Sequence, residues 1–295
     1  MTSLFLPLES RIFDAQETYI YNVLKASLNY PTTLETLAPR LADDIKFFCR
    51  SAISGEDAEG TICTVWNTVF IFVGCIPPNN EWQNVWVNAL KSLWGRPSTL
   101  WPDDVPMPIG LSRLDLPYFT QQLMLYLADF ESHKSKEWKN MNSFAARLYA
   151  SHLTNTNISF IFALRGSVEK YDTSAADVPE AEIWVVTEWL IRSAERLFAF
   201  LKDTDEPRHK WERNEWRLGR AFKEKEKVGL VSIERWNLWR EWFEDFHDNN
   251  LDSQSAVDVE MMGRIAKALD RMNEAEQESK AMDDDDGDER SLQRE

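Results

Sequence analysis

Glu234-Arg235-Trp236-Asn237-Leu238-Trp239-Arg240-Glu241-Trp242-Phe243 is the stretch whose reading decides the fold. Its aromatic residues, with Phe246 just beyond, recur at intervals of three and four, which lays large rings along one side of an α-helix. Rings of that size must be covered by neighbouring helices, so the stretch predicts a helical core built over it.

Outward from it in both directions the pattern stays helical. Towards the C-terminus, Val257, Met261, Ile265, Ala268, Leu269 and Met272 predict a helix over about 253–276. Residues 274–295 then hold ten acidic and three basic side chains, Asp283 to Asp286 among them, and from 277 on the chain is expected to be a disordered acidic tail. Towards the N-terminus, residues 204–230 are polar. Before them Pro179, Glu180 and Glu182 suit the start of a helix over 179–202, with Ile183, Val186, Trp189, Leu190, Ala194, Leu197, Phe198 and Leu201 on its apolar face. Helices are predicted over 118–132, 141–153 and 158–170. Residues 96–117 carry Pro97, Pro102, Pro106, Pro108 and Pro117 and read as an extended loop, either a linker or a lid.

The first part of the chain reads as helices over 9–29, from Thr32-Thr33-Leu34-Glu35 to about Cys49, over 61–76 and over 81–94. Residues 61–76 are the most apolar, and a buried strand is the alternative reading there. No hairpin or alternating strand pattern stands out. The expectation is an all-α, multi-helix globular protein of about ten helices. It divides into an N-terminal helical part (1–95), the Pro-rich loop (96–117), a main helical domain (118–276) and the acidic tail (277–295).

The net charge of −16 argues against nucleic acid or an anionic membrane as the main partner. The three cysteines, Cys49, Cys63 and Cys75, form no zinc-type cluster and fit buried thiols in a reducing compartment. The longest apolar run, Val69 to Pro77, is far below the roughly 20 residues of a membrane-spanning helix, and no charged leader precedes a long apolar run. The expected location is cytoplasmic, with no membrane span.

Several strings carry a family likeness: Trp138 with Asn142-Ser143-Phe144-Ala145-Ala146-Arg147-Leu148, Ile161-Phe162-Ala163-Leu164-Arg165 with Glu169, Glu234-Arg235-Trp236-Asn237-Leu238-Trp239, and Ala266 to Met272. In order and approximate spacing they resemble the fungal OpdG-like family, over about 60–275. The resemblance implies an ascomycete protein of a family without established function, some of whose members are encoded in secondary-metabolite gene clusters. It carries over no catalytic residue. A distant similarity to non-canonical fungal sesquiterpene cyclases implies a helical cavity for a small apolar substrate.

Candidate chemistry is sparse. A class I terpene cyclase holds Mg²⁺ on two carboxylate motifs, because metal ions must draw off a diphosphate. Asp284, Asp285 and Asp288 match the first motif in letters but sit in the acidic tail, and Asp103-Asp104 lies in the Pro-rich loop. Asp252 and Glu260, with Ala256 between them, have the spacing of the second motif without its hydroxyl ligand. They are the only metal candidates, against a plain reading of Asp252 near an N-cap and Glu260 paired with Arg264. Residues 208–227 hold eight Lys or Arg and four Glu, so Arg208, Lys210, Arg213, Arg217 and Arg220 either grip an anion or form a solvated face. His133, His152, His209 and His247 are isolated, and no GxSxG, P-loop or GxGxxG is present.

For the tryptophans a packed core is the plain reading. The alternative is the wall of an apolar pocket, with Trp184, Trp189, Trp236 and Trp239 as its lining. Arg147 and Arg165 fall within apolar helices, where a charge is either paired internally or faces a pocket. Two functions are therefore expected in competition. One is a biosynthetic role acting on a small apolar or isoprenoid substrate, with Mg²⁺ in its cyclase-like form. The other is a non-catalytic helical interaction or accessory protein.

Overall fold

A computed structural model describes residues 8, 11–53, 57–94, 116–131, 136–154, 157–170, 178–203, 213–214, 216–223, 225, 228–251 and 259–292, with side chains left out at 129–131, 157–158, 251 and 284–292. Among the described residues there are ten α-helices and no strand. The chain splits into two compact units, residues 1–156 and 157–295.

The first unit holds α1 (Ala15–Leu28), α2 (Leu34–Ile53), α3 (Ala58–Gly74), α4 (Trp82–Leu93), α5 (Phe119–Glu131) and α6 (Lys136–Ala150). Helix α3 is its centre. It touches α1, α2, α5 and α6, and from Val65 to Gly74 only Asn67 is not buried. Apolar side chains all round make α3 a helix covered on every side, which disposes of the strand alternative. Its tryptophan is held at both ends: Trp66 Nε1 donates to the Pro117 carbonyl at 2.7 Å, and its ring meets Phe119 edge-on at 5.0 Å. Helices on both sides of residues 96–117 thus pack within one unit. Of the loop, residues 96–115 lie outside the described residues.

Boundaries moved where capping or buried polar groups decide them. Helix α1 begins at Ala15 rather than residue 9. There the Asp14 carboxylate accepts the Glu17 N–H at 2.8 Å, and Glu17 accepts the Asp14 N–H at 3.1 Å, a reciprocal capping box. Helix α6 begins at Lys136 rather than 141, because its buried face includes polar residues: Asn140 Nδ2 donates to the Gly74 carbonyl at 2.6 Å and Asn142 Nδ2 to the Trp138 carbonyl at 2.9 Å. Gln83 Nε2 joins them, donating to the carbonyls of Ile76 and Asn140 at 2.9 and 3.0 Å. Helix α6 ends at Ala150, followed by His152 at φ 58°, with Leu153 N–H returning to the Leu148 carbonyl and His152 N–H to that of Tyr149. This is a Schellman turn with histidine where glycine is usual.

The second unit holds α7 (Asn157–Gly166), α8 (Glu180–Asp203), α9 (Ile233–Leu251) and α10 (Val259–Leu292). Helix α8 is the hub, in contact with the other three. Helix α10 buries Met261, Ile265, Ala268, Met272 and Ala275, alternating steps of four and three, and α8 offers a matching stripe through Thr187, Leu190, Ala194, Leu197 and Leu201. Such stripes let two helices run side by side along their length. Helix α8 bends at Ser193 (φ −142°, ψ 19°), whose hydroxyl donates to the Trp189 carbonyl at 2.7 Å. Helix α10 continues past residue 277, and Lys202 meets Asp283 at 2.5 Å. The side chains of the acidic run beyond Asp283, and residues 293–295, lie outside the described residues.

Eight tryptophans are buried among the described residues: Trp66, Trp82, Trp86, Trp138, Trp189, Trp236, Trp239 and Trp242. No helix among those residues is long and apolar enough to cross a membrane.

Candidate functional site

The predicted lining residues fall in different units. Arg147 belongs to the first unit, at the end of α6, where Nη1 donates to Asn84 Oδ1 at 2.5 Å and Nη2 to the Pro78 carbonyl at 2.7 Å. The other five belong to the second unit. Trp189, Trp236 and Trp239 are fully buried in one aromatic chain: Trp189 to Phe160 (6.1 Å), Phe160 to Trp239 (5.5 Å), Trp239 to Trp236 (6.4 Å) and Trp236 to Phe198 (5.3 Å). Trp184 is half-buried under the Arg264 guanidinium, 4.3 Å from its ring centre. Arg165 lies over Phe162 at 4.6 Å on α7. Trp189, Trp236 and Trp239 therefore act as core.

The best-defined polar constellation of the unit sits at the edge of that core. Glu169 follows α7, its own N–H closing onto the Leu164 carbonyl at 3.0 Å. A carboxylate at a helix C-terminus faces the negative end of the helix dipole and needs compensation. Arg235, on α9, supplies it. Arg235 stands four residues before Trp239, on the same buried side of the helix, and both charged residues are 0% exposed.

Every acceptor and donor of the pair is used. Glu169 Oε1 accepts from Arg235 Nε at 2.7 Å and from Trp239 Nε1 at 2.9 Å. Its Oε2 accepts from the Gly219 N–H at 2.6 Å and from Arg235 Nη2 at 3.1 Å. The remaining guanidinium donors reach the carbonyls of Trp216 at 2.7 Å, Leu230, and Arg217 at 3.4 Å. Three carbonyls, an indole and a backbone amide thus close a buried ion pair that would otherwise be costly. The Glu169 carbonyl also accepts the Ala221 N–H at 2.8 Å. Residues 216–222 and Leu230 are in this way tied to α7 and α9. Gly219 is required by close approach: a Cβ there would stand 2.4 Å from the Glu169 Cβ.

Two smaller ion pairs follow the same plan. Glu188 on α8 is buried between Arg192, one turn on, and Arg264 of α10 at 2.8 Å. Glu276 of α10 takes Arg240 at 2.6 Å and Trp236 Nε1 at 3.0 Å. Arg264, expected to pair with Glu260, thus reaches across to α8. In each case a carboxylate and an arginine join two helices, and at Glu276 a core tryptophan donates as well.

The metal candidates are not brought together in any described arrangement. Asp252 lies outside the described residues, and Glu260 is exposed in the first turn of α10. Among the described residues no group of three or more His, Cys, Asp or Glu is placed to hold a metal ion. Of the basic cluster, Arg208 and Lys210 lie outside the described residues, while Arg213, Arg217 and Arg220 are exposed.

The spacing argument missed Glu169, Gly219, Glu188 and Glu276. One signal for the main pair was present: Arg235 shares the stripe of Trp239, Trp242 and Phe246, and a cation on a buried stripe requires an anion. Which anion, 66 positions away, no periodicity can say.

No curated protein and no solved structure matches the chain significantly. A family model does match, over residues 66–243, more than half of the chain and the stretch that contains both Glu169 and Arg235. The chain belongs, on that match, to the family described as "Protein of unknown function (DUF3632)".

Proposed function

We propose that the protein is a non-catalytic helical accessory or interaction protein. The observation that carries this reading is the closure of the Glu169–Arg235 network. A catalytic acid, base or anion-binding arginine must keep a lone pair or an N–H for its substrate. Glu169 and Arg235, the most deeply buried charges of the unit, spend theirs on the protein's own backbone and on Trp239. The rings of Trp236 and Trp239, both 0% exposed, pack against Phe198, Phe160 and one another, and the Arg235 guanidinium lies over Trp239.

The test is incubation of the purified chain with farnesyl diphosphate and Mg²⁺, followed by gas chromatography. No hydrocarbon above the buffer control is expected. A hydrocarbon product abolished by Asp252→Ala or Glu260→Ala would overturn the reading in favour of a cyclase-like enzyme.

A biosynthetic setting is the second reading, favoured by the strings around Asn142, Ile161 and Glu234 that resemble the fungal OpdG-like family. In that setting the protein serves a secondary-metabolite pathway. Deleting the gene and comparing metabolite profiles tests it, and an unchanged profile under producing conditions removes it.

A further inference from the structure

Residues 216–223 form a strap in the second unit, and neither reading uses the side of it that faces away from the core. Every third residue turns inward: Trp216 packs on Phe200 at 5.3 Å, Gly219 is buried against Glu169, and Phe222 is 3% exposed. The residues one step on, Arg217, Arg220 and Lys223, are all exposed. Backbone hydrogen bonds fix that division. The carbonyls of Trp216 and Arg217 accept from Arg235, and the amides of Gly219 and Ala221 donate to Glu169. The Gly219 carbonyl accepts the N–H groups of Phe222 and Lys223, both at 3.2 Å.

The outward side runs against the rest of the chain. Net charge is −16, yet the strap holds three cations and no carboxylate. The glutamates nearest in sequence, Glu212, Glu215, Glu224 and Glu226, precede or follow it rather than interrupt it. Among the described residues none of the three cations has an ion-pair partner. The backbone that carries them is already tied to a buried ion pair, so a partner does not have to order it on binding.

We propose that the strap is a docking surface for an acidic segment of a partner protein, a run of aspartates or glutamates laid along Arg217, Arg220 and Lys223. The inference rests on the reading of the chain as an interaction protein and names what that protein takes. Cations at every third position from 217 to 223 spread over at most about 20 Å of backbone. A row of carboxylates matches such a spread better than one compact anion does, and each arginine can fork onto a carboxylate. A short acidic run touches the strap alone. Nucleic acid or an anionic membrane extends past it onto an acidic surface, and charges brought within about 8 Å of that surface are not screened from it.

The experiment is fluorescence anisotropy of a fluorescein-labelled peptide of eight glutamates titrated with the full chain at low salt, with the same label on a Gly-Ser octapeptide as control. Saturable binding of the acidic peptide alone is expected, with a Kd on the order of 0.1 mM. The variant Arg217→Gln/Arg220→Gln/Lys223→Gln should weaken it by about tenfold or more. Lys91→Gln/Lys267→Gln/Lys280→Gln removes three exposed cations elsewhere, with the same change in net charge, and should leave the affinity within about twofold. Far-UV circular dichroism checks that each variant is helical, and Arg220→Gln alone, expected to weaken binding about threefold, serves if the strap triple does not fold. Absence of saturable binding, or equal losses in the two triple variants, would overturn the proposal. So would tighter binding of an oligothymidylate of equal charge, or binding seen only after residues 284–295 are deleted, which would put this chain's own acidic run on the strap. Displacement of the peptide by inorganic pyrophosphate at equal or lower concentration would overturn it too, in favour of a small-anion site. Formation of a hydrocarbon from farnesyl diphosphate, by contrast, would remove the non-catalytic reading whatever the peptide does.

Discussion

Replacing Glu169 by glutamine keeps the shape of the side chain and removes its charge. Arg235 then stays buried at 0% exposure with no counter-charge, and one oxygen that accepted two donors becomes an NH₂ facing donors. Breaking one partner of a buried pair costs about 3–5 kcal/mol. That is a large part of the roughly 5–15 kcal/mol that holds a typical protein folded. With a urea dependence of about 2 kcal/mol per molar, the unfolding midpoint should fall by about 2 M. Tryptophan fluorescence follows the transition, since Trp239 donates to the altered group. Amide exchange at Gly219, whose N–H is held by Glu169, should accelerate in the same variant. Adding Arg235→Met removes the stranded cation, so the double variant should be more stable than Glu169→Gln alone. A midpoint shift below about 0.5 M, or unchanged Gly219 protection, would refute the view that this pair ties residues 216–222 to α7 and α9.

Three further outcomes can be measured on the same protein. Gly219→Ala forces a Cβ to within 2.4 Å of the Glu169 Cβ and 2.6 Å of its carbonyl oxygen, so it should cost about 1–3 kcal/mol in urea unfolding although it adds only a methyl group. His152→Gly removes an exposed side chain from a position at φ 58° and should raise stability by about 0.5–1 kcal/mol; a loss would show that the imidazole makes a contact of value. Burial pushes the Cys75 thiol up from 9.0 to about 11, and burial raises Cys49 and Cys63 as well. The unfolded chain therefore loses these protons first, and stability should fall as pH rises above about 9. Cys75→Ser should flatten that slope in urea midpoints taken from about pH 8 to 10.

Local order set the helices. The three-and-four spacing of Trp236, Trp239 and Trp242, and the long apolar stripes of α8 and α10, require helices with one covered face, and covered helices are what the structure has. Capping chemistry and buried amides then moved ends by several residues, as at Asp14 and Asn140, because such bonds depend on where a side chain lands and not on how often apolar residues recur.

What the rings do was a tertiary question. The same stripe serves a packed core or a pocket wall, and the choice is made by what stands opposite: Phe160 and Phe198 fill the space before Trp239 and Trp236. Likewise the sequence by itself placed a cation on the buried side of the tryptophan helix, since helical spacing leaves Arg235 no other side. Only the tertiary structure chose its partner, because pairing a charge in a medium without water demands contact within about 3 Å, and contact between Glu169 and Arg235 is made by the packing of α7 on α8 and of α8 on α9 rather than by closeness along the chain.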